Sequence, residues 1–398
     1  MPLVAALIGY GTKLAAIYMM FEPIRFVGVR PPYLGWQGVI PRNAERMAAI
    51  ACDTLTARLL KPEELFARLE PWRLALEVHE PLCAAVETII REVVAQQAPE
   101  LWRRAPEALR RRLITRAQQQ APALIEEMMT RVRDDFASVF DLKHVVVNLL
   151  SRDKQLLNQM FREVGHAEFR FIRRSGIYFG LLIGLVQALA WALTHSVWIM
   201  PIFGGLTGWF SDWLALKMVF RPKQPTRYLG VFTWQGLFLR RRHEVAADYA
   251  RLIAQRVLTP EAILDALLTG PLSDRLYAMI QREVSDAVDR EAGLAQPFVV
   301  GAVGTQQFLA VKRAVAAKVI ETLPATLRHA HGYVAEALDL ENTLTQKMRR
   351  LTADEFEALL RPAFQQDEWI LIAVGAALGF LVGELQVHIM LAFATVPH

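Results

Sequence analysis

The chain has 398 residues, 53% of them hydrophobic and only 21% charged, with a mean hydropathy of +0.22, which excludes a disordered or collagen-like protein and points to a membrane protein with large water-exposed parts. The formal net charge of +5 is spread thinly: residues 22–175 hold 24 Lys/Arg against 20 Asp/Glu and residues 221–368 hold 19 against 18, so nucleic acid is not an expected partner. Two cysteines, Cys52 and Cys83, are too few for a disulfide framework or a cysteine metal cage.

Residues 1–21 contain one charge, Lys13, and are long enough for a span over 2–21. A positive leader and a small-x-small cleavage site are both missing, so a retained span is expected over a removed signal peptide. From 22 to 175 apolar residues recur at helical spacing, as in Leu82, Val86, Ile89 and Val93, which predicts a helical lobe. Prolines at 62, 71, 81, 99, 106 and 122 should cut that lobe into short segments.

After Arg174 the next acidic or basic residue is Asp212, and the intervening 37 residues are enough for a hairpin of two spans, 176–193 and 197–220. Its turn falls at Thr194-His195-Ser196, between the interfacial aromatics Trp191 and Trp198. A second helical lobe, 221–368, repeats the habit of the first, with Thr259-Pro260-Glu261 as a capped helix start and Asp339, like Asp141, able to cap. Residues 369–394 hold a single charge, Glu384, and make a fourth span. The predicted fold class is all-α: a membrane protein of about four transmembrane helices with two large helical soluble lobes.

The two halves also resemble each other. Gly9 to Pro23 reads GYGTKLAAIYMMFEP and Gly208 to Pro222 reads GWFSDWLALKMVFRP, a shift of 199. Trp36-Gln37-Gly38 then aligns with Trp234-Gln235-Gly236 and Arg42 with Arg240 at a shift of 198, while Gly176, Gly180, Gly184 and Gln187 align with Gly375, Gly379, Gly383 and Gln386. Order is kept throughout, so the chain is expected to be a tandem duplication, residues 1–199 and 200–398. Two crossings per copy return the chain to its starting side, placing both lobes together. The lobe-side flanks carry Arg25, Arg30, Arg173, Arg174, Arg221 and Lys223, and the hairpin tip carries no Lys or Arg, so the positive-inside rule puts the lobes in the cytoplasm.

Together, GYGTKLAAIYMMFEP, LGWQGVIPRNAERMA, GWFSDWLALKMVFRP, TWQGLFLRRRHEVA and EFRFIRRSGIYFGLLIGLVQ resemble the bacterial membrane proteins grouped as domain-of-unknown-function 445, YheB-like. The resemblance covers nearly the full chain and implies a multi-pass helical protein of the bacterial cytoplasmic (inner) membrane, with no reaction to carry over. The family's second copy often reads Thr-Asn where this chain has Ser211-Asp212, and Gln where it has His243.

Four groups of residues stand out as candidate sites. Gly176, Gly180 and Gly184, and again Gly375, Gly379 and Gly383, fall at i, i+4 and i+8, giving each second span a smooth strip for another backbone. The strips could meet each other or the first-type spans. Lys13 and Asp212 are equivalent under the 199-residue shift, and three readings are open: an ion pair across the repeat axis, snorkelling to the headgroups, or an ion-coupling role. Glu384 is a separate intramembrane acid. Trp36 with Arg42, and Trp234 with Arg240, Arg241 and Arg242, suit loops at the lipid headgroups, alternatively purely structural elbows.

No phosphate loop, nucleophile elbow, HExxH or dinucleotide fingerprint occurs, so neither an enzyme nor a cofactor or metal site is expected. Two functions remain in view: a membrane-anchored scaffold or lipid-handling factor whose partners are lipids, other proteins or a second copy of the chain, and a small transporter or channel built on the duplicated four-span core.

Overall fold

The computed structural model describes residues 2–30, 34–228, 232–293, 304–360 and 368–394. These fall into two compact units, one made of Met1–Leu55, Val147–Ile253 and Thr343–His398, the other of Thr56–Val146 and Ala254–Asn342. The predicted lobes, 22–175 and 221–368, are each divided between the units. The reason is visible in the second unit, where the His79–Gln97 helix of the first half packs on the Thr305–Leu327 helix of the second. Amphipathic helices bury their apolar stripes against whichever helix completes a core, here one from the other half.

The first unit is built on four long helices, Pro2–Phe21, His166–Thr194, Ile199–Phe220 and Glu368–Ala394. They pack in a closed circuit: 2–21 on 166–194, 166–194 on 199–220, 199–220 on 368–394, and 368–394 back on 2–21, with 2–21 and 199–220 also meeting across the middle. His195, in the left-handed region at φ 51°, ends the second helix and starts the turn into the third. Large apolar side chains point outward on all four helices, among them Leu7, Leu189, Ile202 and Leu381. Three are long and apolar enough to cross a membrane: Pro2–Phe21, His166–Thr194 and, within the last, Glu368–His388. The Ile199–Phe220 helix has the length, at 22 residues, but Asp212 and Lys217 lower its hydropathy.

Where 2–21 and 199–220 end, the chain turns in the same way twice. Glu22-Pro23 and Arg221-Pro222 are both cis, and each leads into a two-stranded antiparallel hairpin, Val27–Arg30 with Leu34–Trp36 and Thr226–Tyr228 with Phe232–Trp234. Strands were not expected between the helices. In the first hairpin, Val27 and Val29 supply β-branched alternation, and Gly28 and Gly35 face each other where a Cβ on either would strike the opposite backbone. The Gln-Gly that follows locks the turn. Gly38 N donates to Pro23 O at 2.9 Å and Gln37 Nε2 to Ile24 O at 2.7 Å; Gly236 N donates to Pro222 O at 3.0 Å and Gln235 Nε2 to Lys223 O at 3.1 Å. A Cβ on Gly38 or Gly236 would lie 2.7 Å from the carbonyl carbon of Phe21 or Phe220.

The second unit is a helical body around Leu59, Leu60, Phe66, Phe136, Leu258, Ile280 and Leu338, with Phe66 stacked on Phe136 at 3.6 Å between ring centroids. Proline placement follows the expected cuts at Pro62, Pro71 and Pro99, each at a helix start, and at Pro106. Pro122 is different: the Glu107–Asp134 helix runs through it, because Ala121 on one side and Met128 and Val132 on the other are all buried, and core packing outweighs one lost backbone bond. Thr259 caps its helix through Ala262 N at 3.1 Å, and Asp141 accepts from His144 N at 3.0 Å, whereas Asp339 ends the preceding helix in the left-handed region.

Two kinds of glycine in the first unit are separable by experiment. A Cβ at Gly180 would collide with the backbone of Ala5 and Ala6, and one at Gly379 with that of Gly204, whereas Gly11 has open space and Gly205 only ordinary contacts. Gly180→Leu and Gly379→Leu should each lower the melting temperature in detergent by an amount equivalent to at least about 1–3 kcal/mol, the scale of overpacking, while Gly11→Ala and Gly205→Ala leave it nearly unchanged. Equal melting temperatures for both pairs would contradict this packing.

Candidate functional site

Each glycine strip faces the first-type helix of its own half. Gly176 lies against Gly9, Gly180 against Ala5 and Ala6, and Gly184 against Pro2 and Ala5; Gly375 lies against Gly208, Gly379 against Gly204, and Gly383 against Met200 and Pro201. Thr12 and Ser211, equivalent positions, both turn their hydroxyls back to a carbonyl three residues earlier, Gly9 O at 3.3 Å and Gly208 O at 3.4 Å. The second helices can therefore come close enough to receive a longer side chain at the same level. The Lys13 stem lies against Gly176, where a Cβ would be 2.8 Å from its Cδ. A carboxylate oxygen of Asp212 occupies the corresponding space over Gly375.

From those two seats Lys13 Nζ and Asp212 Oδ1 meet at 2.5 Å, with side-chain exposures of 0% and 7%. Lys13 does not snorkel. Both residues lie eight positions before the last residue of their helix, roughly 12 Å along the axis at 1.5 Å per residue. Asp212 Oδ2 is buried and has no hydrogen-bond partner among the described residues. A pair removed from water in this way is held by mutual attraction against the desolvation of both ions, so loss of one partner is far costlier than loss of both.

Beside the pair the first unit contains a cavity of about 100 Å³, walled by Ala16, Met20, Ile40, Met47, Phe169 and Val219. Its wall is almost wholly apolar apart from Lys13, Asp212, Glu168 and Glu368, and includes the half-exposed Ile17, Ile172, Leu216 and Leu371. Glu168 is held by Arg241, whose Nη1 donates to both carboxylate oxygens at 3.1 Å. Arg241 also binds Glu244 at 2.8 Å, and that hydrogen bond holds the Glu244 carboxyl below its ordinary range. Its stabilising contribution is therefore present at neutral pH and lost only as the pH falls through that lowered value.

The remaining expected site residues are dispersed. Arg42 and Arg240 are exposed, whereas Arg241 is committed to Glu168 and Glu244. Among the described residues Arg242 makes only a long contact, with His243. Trp36 and Trp234 are half-buried, each with an indole N–H that has no partner among the described residues. Glu384 lies sixteen residues into its helix from Glu368, roughly 24 Å along the axis, next to His388 at 3.9 Å and apart from the Lys13 level. Among the described residues no three His, Cys, Asp or Glu side chains are grouped to hold a metal ion. Sequence reasoning missed Glu168, whose signal was only an acid just before an apolar span, and gave no role to the repeated Gln37 and Gln235.

No protein-family model matches the chain, and no solved structure matches it. It is similar to proteins named UPF0754 membrane protein from Bacillus cereus (strain Q1), Bacillus anthracis (strain A0248) and Bacillus thuringiensis (strain Al Hakam), at 31% identity over 106 residues in each case. The match spans 25% of this chain and 28% of the length of those relatives. With the three apolar helices, this similarity supports a membrane location and kinship with uncharacterised membrane proteins.

The pair makes a double-mutant cycle decisive. Lys13→Met or Asp212→Leu alone should destabilise the protein by about 3–5 kcal/mol, as expected when a buried charge loses its partner, and the double variant should recover most of that loss. Additive losses, measured by thermal unfolding in detergent, would show that the two side chains act independently.

Proposed function

We propose that the chain is a non-enzymatic, lipid-handling protein of a bacterial inner membrane, built by tandem duplication and related to the domain-of-unknown-function 445 group. In this reading all four long helices cross the bilayer. An even number of crossings and the arginine-rich flanks keep both helical segments on the cytoplasmic side, where protein partners or a second copy would be met. Arg42 and Arg240 are exposed, where they can meet headgroup phosphates.

One observation carries the lipid reading: an almost wholly apolar cavity in the spanning unit, edged by half-exposed aliphatic side chains and closed on one side by the Lys13–Asp212 pair. Each methylene moved from water into such a site is favourable by about 0.8 kcal/mol, and the polar edge gives an amphiphile's head a place to stop. A second reading, an ion-coupled carrier, draws on the same buried pair, since charged residues at this depth are default functional suspects.

Native mass spectrometry of gently extracted protein should show retained lipid. Ile17→Trp and Leu216→Trp, which place indoles at the cavity wall, should release it while subunit number and helical circular dichroism are retained. Lipid-free wild type, or retention equal in the variants, would contradict the lipid reading. Solute flux in proteoliposomes that is lost in Lys13→Met would favour the carrier.

A further inference from the structure

The second unit carries a surface that neither its core nor the cavity uses. The Glu107–Asp134 helix turns Ile114, Ala121, Met128 and Val132 into the core. At 100° per residue the opposite face of its first turns holds Leu109, Arg112, Leu113 and Arg116, spaced i, i+3, i+4 and i+7. Leu109 and Leu113 are 57% and 43% exposed. The outward side of a helix already anchored by its other face thus presents two exposed leucines alternating with two arginines.

The charge around this face is equally one-sided. Residues 99–116 hold six arginines and two acids, and setting that stretch aside leaves the rest of residues 22–175 with equal numbers of acids and bases. The two acids are already shared, Glu100 by Arg103 and Arg104, and Glu107 by Arg110 and Arg111. Arg116 reaches Glu291 at 2.9 Å, and Arg112 makes no ion pair among the described residues. Arg103 and Arg104, on the preceding Pro99–Arg104 helix, are themselves largely exposed.

We propose that this Leu/Arg face docks on an anionic lipid surface. Leucines alternating with arginines on one helical face match an interfacial helix, with aliphatic side chains at the acyl boundary and guanidinium forks on phosphate oxygens. A nucleic-acid site would set aromatic side chains among the bases for stacking, and here the exposed apolar residues of the face are aliphatic. The proposal deepens the lipid reading but uses none of the cavity's residues, so the two are lost through different variants.

The test uses the full chain with Cys52→Ala, Cys83→Ala and Gln120→Cys, the last carrying an environment-sensitive fluorophore on the same exposed face. The protein is placed in nanodiscs of phosphatidylcholine, alone or with about a third phosphatidylglycerol, and vesicles of either composition are added outside. Anionic lipid, in the disc or in the added vesicles, should shift the emission to the blue and raise it about twofold. Salt near 1 M, where the Debye length is about 3 Å, should reverse the electrostatic part. Arg112→Glu, and separately Leu109→Ser with Leu113→Ser, should abolish the response while helical circular dichroism is retained. Emission indifferent to anionic lipid in both settings, or a response that both variants keep, overturns the proposal. A shift of the same size with soluble polyglutamate and no lipid also overturns it and assigns the face to an acidic protein partner.

Discussion

A lysine and an aspartate cannot sit unaccompanied among apolar helices, and the first unit is arranged around that constraint. A lone charge at bilayer depth costs about 3 kcal/mol on insertion scales and more once the surroundings close over it. Lys13 comes from the first half of the chain and Asp212 from the second, so neither half neutralises its own charge. Their contact joins the two helices that meet across the middle of the circuit, 2–21 and 199–220. Close glycine packing is what makes it possible: the lysine stem needs the missing Cβ of Gly176, and the carboxylate needs that of Gly375.

Inside a bilayer there is no hydrophobic drive pulling helix onto helix, so association rests on van der Waals contact and polar links. The strips at Gly176, Gly180 and Gly184 and at Gly375, Gly379 and Gly383 supply the first in each half, and the ion pair supplies the second between halves. The elbows after Phe21 and Phe220 then fix how the chain leaves these helices, through the same backbone and glutamine bonds in both places. The cavity lies immediately beside the pair, so its shape depends on both arrangements.

Much of this was legible in the residue order. The long uncharged stretches marked the helices, and the i, i+4, i+8 glycines marked the packing strips. The equivalence of Lys13 and Asp212 raised the pair as one of three options but could not choose between it and snorkelling, because that choice depends on how near the 2–21 and 199–220 helices approach. The interleaving of the two halves was illegible for a related reason: an amphipathic stripe says that a helix face is buried, not which half of the chain buries it. Val27-Gly28-Val29 was too short a run to announce a strand, and the basic stretch at 99–116 vanished into the nearly balanced charge of its half. The Trp-Gln-Gly repeats offered a headgroup loop or a structural elbow, and the part not read from them was the glutamine, whose side chain bonds back across the turn.

Lipid handling through the cavity presupposes a first unit held together at the Lys13–Asp212 contact. Solid-state NMR in lipid bilayers measures that contact directly, through ¹⁵N–¹³C dipolar recoupling between Lys13 Nζ and Asp212 Cγ, with Lys13→Met used to assign the lysine signal. Strong dephasing is the result required by an Nζ–Oδ1 separation of 2.5 Å. A Lys13 signal that shows no coupling to Asp212, as a side chain reaching for the headgroups would give, contradicts it.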